Sequence, residues 1–214
     1  MKNNITELVF ILDESGSMYD LKQDTIGGFN SMIGKQKEEE GQCFVSTVLF
    51  NTNQKVIHDR EDLKNIKFMN SKDYTPGGGT ALMDALGGAM KHIEMIHKYI
   101  RKEDVPSKTL FVIMTDGYEN ASHKYNVHDI NKKINYCKEK YGWEFMFIGA
   151  NIDSEEIAKT YGINQEMAVN YHADAKGSEI VYETINNAVH NLRKNRKIEK
   201  GWNAKIKKDY ESRK

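Results

Sequence analysis

Five apolar residues in an unbroken row, Leu8-Val9-Phe10-Ile11-Leu12, run without a spacer into Asp13-Glu14-Ser15-Gly16-Ser17, and no other feature restricts the possible folds as much. An uninterrupted run with β-branched and aromatic members suits a strand buried on both faces, as in a parallel sheet, whereas a half-exposed strand would alternate. In such sheets ligands bind beyond the carboxyl ends of the strands. The polar stretch occupies that end: Asp13 brings a charge, Ser15 and Ser17 bring hydroxyls, and Gly16 lets the chain turn sharply between them. Three hard oxygen donors within five residues point to a metal, provided that matching donors arrive from elsewhere in the chain.

The remaining sequence alternates strands and helices. Leu21, Thr25, Phe29, Met32 and Ile33 recur at helical spacing until Glu38-Glu39-Glu40-Gly41 ends the pattern. Phe44 to Phe50 reads as a strand, Asn51-Thr52-Asn53 as a tight connection, and Lys55-Val56-Ile57-His58 as a short second strand of a hairpin, which would give an antiparallel edge. Tyr74-Thr75-Pro76-Gly77-Gly78-Gly79-Thr80 is a loop whose glycines permit close backbone approach. A helix follows directly, with Leu82, Leu86, Ala89, Ile93, Ile96 and Ile100 along one face and Thr80 at its N-terminus. Thr109 to Met114 is a second apolar strand run, ending in Thr115-Asp116-Gly117. Val127, Ile130, Ile134 and Cys137 mark another helix, Glu144 to Ile148 a strand, Ile157, Ala158 and Tyr161 a short helix, Met167-Ala168-Val169 the last strand, and Ile180 to Leu192 the final core-facing helix. This order predicts an α/β fold with a doubly wound, mostly parallel central sheet, helices on both faces and a short antiparallel edge strand.

A chain of 214 residues, 39% hydrophobic and 29% charged with 2 Pro, suits one well-ordered domain that buries a full core. Its organisation reads as a domain over residues 1–192 and a basic tail over 193–214. The tail holds ten Lys and Arg against Glu199, Asp209 and Glu211, a formal +7, which leaves −7 on the rest. Ile198, Trp202, Ile206 and Tyr210 recur every four residues there, so the expectation is a helix packed on the acidic body. The alternative is nucleic-acid or acidic-membrane binding. Met1 to Glu7 contain no long apolar leader and no stretch approaches membrane-spanning length. Cys43 and Cys137 are too few for a disulfide framework or a thiolate zinc site. These features together predict a cytoplasmic protein.

A doubly wound sheet brings the ends of its parallel strands to one edge, where Asp13, Ser15, Ser17, Thr80 and Asp116 would meet. Hydroxyl, carboxylate and water oxygens suit a hard divalent cation, Mg²⁺ more than Ca²⁺. In three-part order, Asp13-x-Ser15-x-Ser17, Thr80 after a glycine-rich turn and Thr115-Asp116-Gly117 after a strand resemble the von Willebrand factor A domain family and its metal-ion-dependent adhesion site. The resemblance covers roughly residues 5–192. It implies a Rossmann-like fold, with Ser15, Ser17 and Thr80 binding the cation directly or nearly so and Asp13 and Asp116 supplying charge directly or through waters. It also implies Mg²⁺, with Mn²⁺ and Ca²⁺ left open, and one coordination position for a carboxylate from a partner protein. The form Asp13-Glu14-Ser15-Gly16-Ser17-Met18 is similar to that of bacterial and phage intracellular members.

Catalytic readings fit less well. A phosphatase of the haloacid dehalogenase type needs a second Asp where Ser15 stands. Ser15 lacks the first glycine of Gly-x-Ser-x-Gly, and Gly77-Gly78-Gly79-Thr80 lacks the lysine of a phosphate-binding loop. His92 with His97 and His123 with His128 lie five apart, the wrong pitch for a shared helical face. Tyr19, Tyr74 and Tyr118 each adjoin a proposed ligand loop and are candidate partner-binding rim residues. The expected function is therefore a non-enzymatic module that recognises an acidic side chain of a protein partner through a bound cation. A metal-dependent phosphoryl or nucleotide hydrolase on a similar scaffold is the alternative.

Overall fold

The structure, a computed structural model, describes residues 4–195 and 197–213. Strand β1 (Thr6–Asp13) is buried along its whole length. Its side chains divide alternately between two cores, Leu8, Phe10 and Leu12 entering one and Val9 and Ile11 the other. The same alternation splits β4 (Lys108–Thr115) and β5 (Glu144–Gly149), which is why these strands read as continuous apolar runs. With β2 (Cys43–Phe50), β3 (Gln54–Asp62) and β6 (Ala168–Asn170) they form one sheet among the described residues, in the order β3-β2-β1-β4-β5-β6. Every neighbouring pair is parallel except β2 with β3. Helices α1 (Lys22–Lys37) and α5 (Ala175–Asn195) cover the first core. Helices α2 (Leu82–Tyr99), α3 (Val127–Tyr141) and α4 (Ser154–Tyr161) cover the second. The fold class is the expected one.

Three local expectations change. The edge strand β3 runs to Asp62, well beyond the expected His58, because its charged second half pairs through an irregularity: Arg60 takes a positive φ of 49° and its N–H donates to Ser46 Oγ at 3.0 Å. Its side chain then reaches inward to fully buried Glu7, with Nε 3.0 Å from Oε1. Helix α2 begins at Leu82, so Thr80 lies in the preceding loop instead of at the helix terminus. The tail stripe is split, since Gly201 adopts φ 73° and helix α6 starts only at Ala204 and ends at Ser212.

The split tail still lies against the body. Ile206 is buried, and Ile198 and Trp202 pack on the first core. Trp202 Nε1 donates to the Glu166 carbonyl at 3.0 Å and Asn203 Nδ2 to that of Ala168 at 3.1 Å, beside the edge strand β6. Lys207 pairs with Glu155 at 2.8 Å, Lys205 pairs with Glu183 and Arg213 pairs with Asp174. Arg196 and Lys214 of the basic set lie outside the described residues. Cys43 and Cys137 are free and buried, and burial pushes both thiols up to about 12. No described helix is long and apolar enough to cross a membrane.

Candidate metal centre

The strand order reverses direction between β1 and β4, and at such a switch point a crevice opens beyond the strand ends. Register sets Leu12 opposite Met114, which puts Asp13 beside Thr115 and Asp116 just past the sheet edge. The loop after β1 and the glycine loop before α2 are joined by backbone bonds: Gly16 N–H donates to Gly78 C=O at 3.1 Å, and Gly77 N–H to Glu14 C=O at 2.9 Å. Gly78 has φ 76°, which favours glycine. Gly79 is needed for space, because a Cβ there would stand 2.8 Å from Asn120 Oδ1 and 3.1 Å from Ala121 Cβ. The expected close approach is thus to the chain's own loops.

The five candidate residues converge here. Asp13 Oδ1 accepts from Ser15 N–H at 2.7 Å and Oδ2 from Thr115 Oγ1 at 2.6 Å. Ser15 Oγ lies 3.1 Å from Ser17 Oγ, which donates to Asp116 Oδ1 at 2.6 Å. Thr80 is buried, with N–H bonded to Asn120 Oδ1 at 2.9 Å and C=O accepting from Asn120 N–H at 3.0 Å. Its Oγ1 faces Gly117, 4.0 Å from where a Cβ on that glycine would stand. Asp13 and Asp116 are both buried, and burial is the main cause that raises both carboxyls above the ordinary value of 3.8. Asp116 adds a further like-charge increase at Asp13, while the hydrogen bonds from Ser15 and Thr115 oppose it. Among the described ion pairs none reaches either carboxylate.

The donor set fits a hard cation. Octahedral Mg²⁺ with metal–oxygen distances of about 2.0–2.1 Å holds adjacent ligand oxygens about 2.9 Å apart. The serine–serine and serine–aspartate separations of 3.1 and 2.6 Å bracket that value. A cation would offset the mutual repulsion and burial of Asp13 and Asp116. Among the described residues no group of three His, Cys, Asp or Glu could hold a metal; the candidate set has two carboxylates and takes its other donors from hydroxyls.

The tyrosines separate. Tyr19 and Tyr118 are 73% and 59% exposed, but Tyr74 is 0% exposed, so it is no rim residue. Its hydroxyl donates to the Asp13 carbonyl from below, and burial raises its pKa. Several supports were not legible as site residues. Thr115 fixes Asp13 and also reaches Gly117 C=O at 3.0 Å. Asn120 holds Thr80 on both sides of its peptide. Glu119 accepts from the N–H groups of Met83, Ala121 and Ser122, each at 2.8 Å, and so ties the loop after Asp116 to the start of α2. Asp84 accepts from His123, Lys124 and Tyr125 N–H at 2.9–3.0 Å. Only Thr115, next to Asp116, carried a local signal.

Comparison with known proteins agrees with this architecture. The proximal thread matrix protein 1 of the mussel byssus is similar in fold, with 16% identity and a TM-score of 0.60 over 89% of this chain and 47% of that one. The ArnB paralog VWA2 from Sulfolobus acidocaldarius gives 17% and 0.55 over 87% and 45%. The pilus adhesin SpaC from Lactobacillus rhamnosus GG gives 10% and 0.64 over 87% and 30%. A further structure of the mussel protein has a zinc-occupied MIDAS motif. The chain spans half or less of the length of each of these structures, and at such identities the likeness concerns the fold alone. No curated protein matches the sequence. The model of the von Willebrand factor type A domain matches residues 7–187, and this chain accordingly belongs to that family.

Proposed function

We propose that the chain is a non-enzymatic protein-binding module that holds a divalent cation, Mg²⁺ in the first instance with Mn²⁺ or Ca²⁺ as substitutes, at Asp13, Ser15, Ser17, Thr80 and Asp116. Through that ion it takes a carboxylate from a partner protein. The observation that carries the reading is the convergence of three loops at the sheet edge, with a chain of oxygens from Ser15 through Ser17 to Asp116 and two buried carboxylates that no ion pair reaches among the described residues. When bound, the ion would supply positive charge and an open coordination position. The protein's part is to hold the hydroxyls in place and keep Asp13 oriented by Ser15 N–H and Thr115 Oγ1.

The family match and the absence of a paired acid and base at Asp13 favour binding over hydrolysis. For residues 193–214 we favour an appendage of the domain over a nucleic-acid arm, since Lys205, Lys207 and Arg213 face carboxylates of the body. Calorimetric titration of chelator-treated protein with Mg²⁺ and Mn²⁺ tests the ion, with Ser15→Ala and Thr80→Ala expected to weaken binding. Affinity capture with and without chelator tests the partner. Metal-dependent turnover of phosphate esters or nucleotides that Thr80→Ala abolishes would replace this reading by the hydrolase one.

A further inference from the structure

A groove of about 360 Å³ opens beside the candidate metal centre, and its wall begins at Gly117, the residue after Asp116. Leu82, Phe147 and Tyr161, all buried, form its floor, while Tyr118, Val127 and Ile157 stand along its sides. Tyr118 is exposed and Val127 is 40% exposed, so two large apolar side chains of the solvent-facing set border one concavity. Apolar side chains that border a concavity with a few polar groups at its edge are the lining a small apolar group binds against. Asp153 and Glu156, at the start of α4, form an acidic lip. Asp153 Oδ1 accepts from Glu156 N–H at 3.0 Å, but the Glu156 carboxylate is exposed and makes no ion pair among the described residues.

We infer that this groove is a specificity pocket for the same partner. It takes one apolar side chain lying close in sequence to the metal-bound carboxylate, and the acidic lip selects a basic residue next to it. The inference rests on the reading of the metal centre given above. The volume of about 360 Å³ leaves room for an aliphatic side chain. Residues two apart in an extended peptide point to the same side, separated by about 6.5–7 Å, so a carboxylate and an apolar side chain at that spacing face the protein together, and the long stem of a following lysine lets its ammonium bend back to the rim. Charge supports the lip, since a basic partner residue would neutralise Glu156 while the two carboxylates of the centre are neutralised by the cation.

The test uses the full chain, ¹⁵N-labelled, with Mg²⁺ and four synthetic peptides. The parent is acetyl-Gly-Asp-Gly-Leu-Lys-Gly-amide, and the others replace Asp by Asn, Leu by Gly or Lys by Glu. Amide shifts at Gly117, Val127 and Ile157 report the groove. The leucine peptide should bind about tenfold tighter than its glycine counterpart, the order expected for burying part of one aliphatic side chain. Val127→Asp, an acidic residue favourable in the first turn of α3, should remove the leucine gain. Glu156→Gln should remove the preference for Lys over Glu. Both variants should titrate with Mg²⁺ as the wild type does.

Mg²⁺-dependent binding of the aspartate peptides with no gain from leucine overturns the groove and leaves the metal-centre reading standing. Equal response of wild type and Val127→Asp does the same. Binding of the leucine peptide that needs neither Mg²⁺ nor its aspartate overturns the coupling of the two sites, as does no binding of any peptide at millimolar concentration. Failure of Mg²⁺ to bind at all in calorimetry counts instead against the metal centre.

Discussion

Replacing Asp13 by Asn separates a charge needed for a cation from a hydrogen-bonding post needed for the fold. The substitution keeps the shape, and an amide oxygen can still accept from Ser15 N–H, now 2.7 Å from Oδ1. Thr115 Oγ1 donates to Asp13 Oδ2 at 2.6 Å, but it also lies 3.0 Å from Gly117 C=O. Its proton can therefore turn to that carbonyl while the oxygen accepts from the new amide. Little hydrogen bonding is lost, and a buried charge facing Asp116 disappears. Metal-free Asp13→Asn protein should be at least as stable as wild type near neutral pH. With Mg²⁺ at about a hundred times its wild-type Kd, binding stabilises wild type by about 2.7 kcal/mol. For a domain of this size that corresponds to roughly 5–11 °C in Tm. If loss of one carboxylate weakens the site about a hundredfold, the same Mg²⁺ concentration equals the variant's Kd, and the increment falls to about 0.4 kcal/mol, or roughly 1 °C. Differential scanning calorimetry after chelator treatment, with and without Mg²⁺, reads both quantities. Equal Mg²⁺ increments in the two proteins would refute the ligand assignment. A metal-free variant melting more than about 5 °C lower would show that the charge itself supports the fold.

Burial raises the carboxyls of Asp13 and Asp116, so the folded, metal-free chain holds protons that the unfolded chain has released. Their stabilising contribution is complete below the ordinary value of 3.8 and is lost as pH rises through the folded values. Metal-free stability should show this decline, flattened in Asp13→Asn, while the Mg²⁺ increment of wild type grows over the same range. Gly27 and Gly28 in α1 should respond oppositely to alanine. A Cβ at Gly27 meets nothing within 4 Å and should stabilise by about 0.5–1 kcal/mol in urea melts. One at Gly28 would stand 2.1 Å from Tyr182 Cδ2 and should destabilise by about 1–3 kcal/mol. Gly79→Ala pushes against Asn120 and should weaken Mg²⁺ binding more than it lowers the metal-free Tm. Asn203→Ala leaves the buried carbonyl of Ala168 without its 3.1 Å donor and should lower stability by about 1–3 kcal/mol; an unchanged urea midpoint would show that water replaces it.

Strands β1, β4 and β5 were legible because each is buried on both faces, so Leu8 to Leu12, Leu110 to Met114 and Phe145 to Ile148 contain no polar interruption. Their alternation with 3.6-residue periodic segments was enough to define a doubly wound sheet, and the ends of β1 and β4 then located Asp13, Ser15, Ser17 and Asp116 at one edge. Local pattern failed where burial was partial or bonding was remote. Lys55 to His58 was only part of β3, because Asp59 to Asp62 carry charges onto an edge strand whose irregular turn at Arg60 serves buried Glu7. Tyr74 read as a surface aromatic by its loop setting, yet the fold closes over it and uses its hydroxyl to hold the backbone of Asp13. Composition identified a basic tail facing an acidic body, but its seat beside β6 depends on Gly201 breaking the helical stripe and on Asn203 reaching a strand carbonyl. Hydrophobic periodicity and strand-end chemistry are local properties that one chain segment expresses alone. Hydrogen-bond partners such as Thr115 for Asp13, Asn120 for Thr80 and Glu119 for Met83 lie tens of residues away in the chain, so only the tertiary structure could decide which polar groups support the centre.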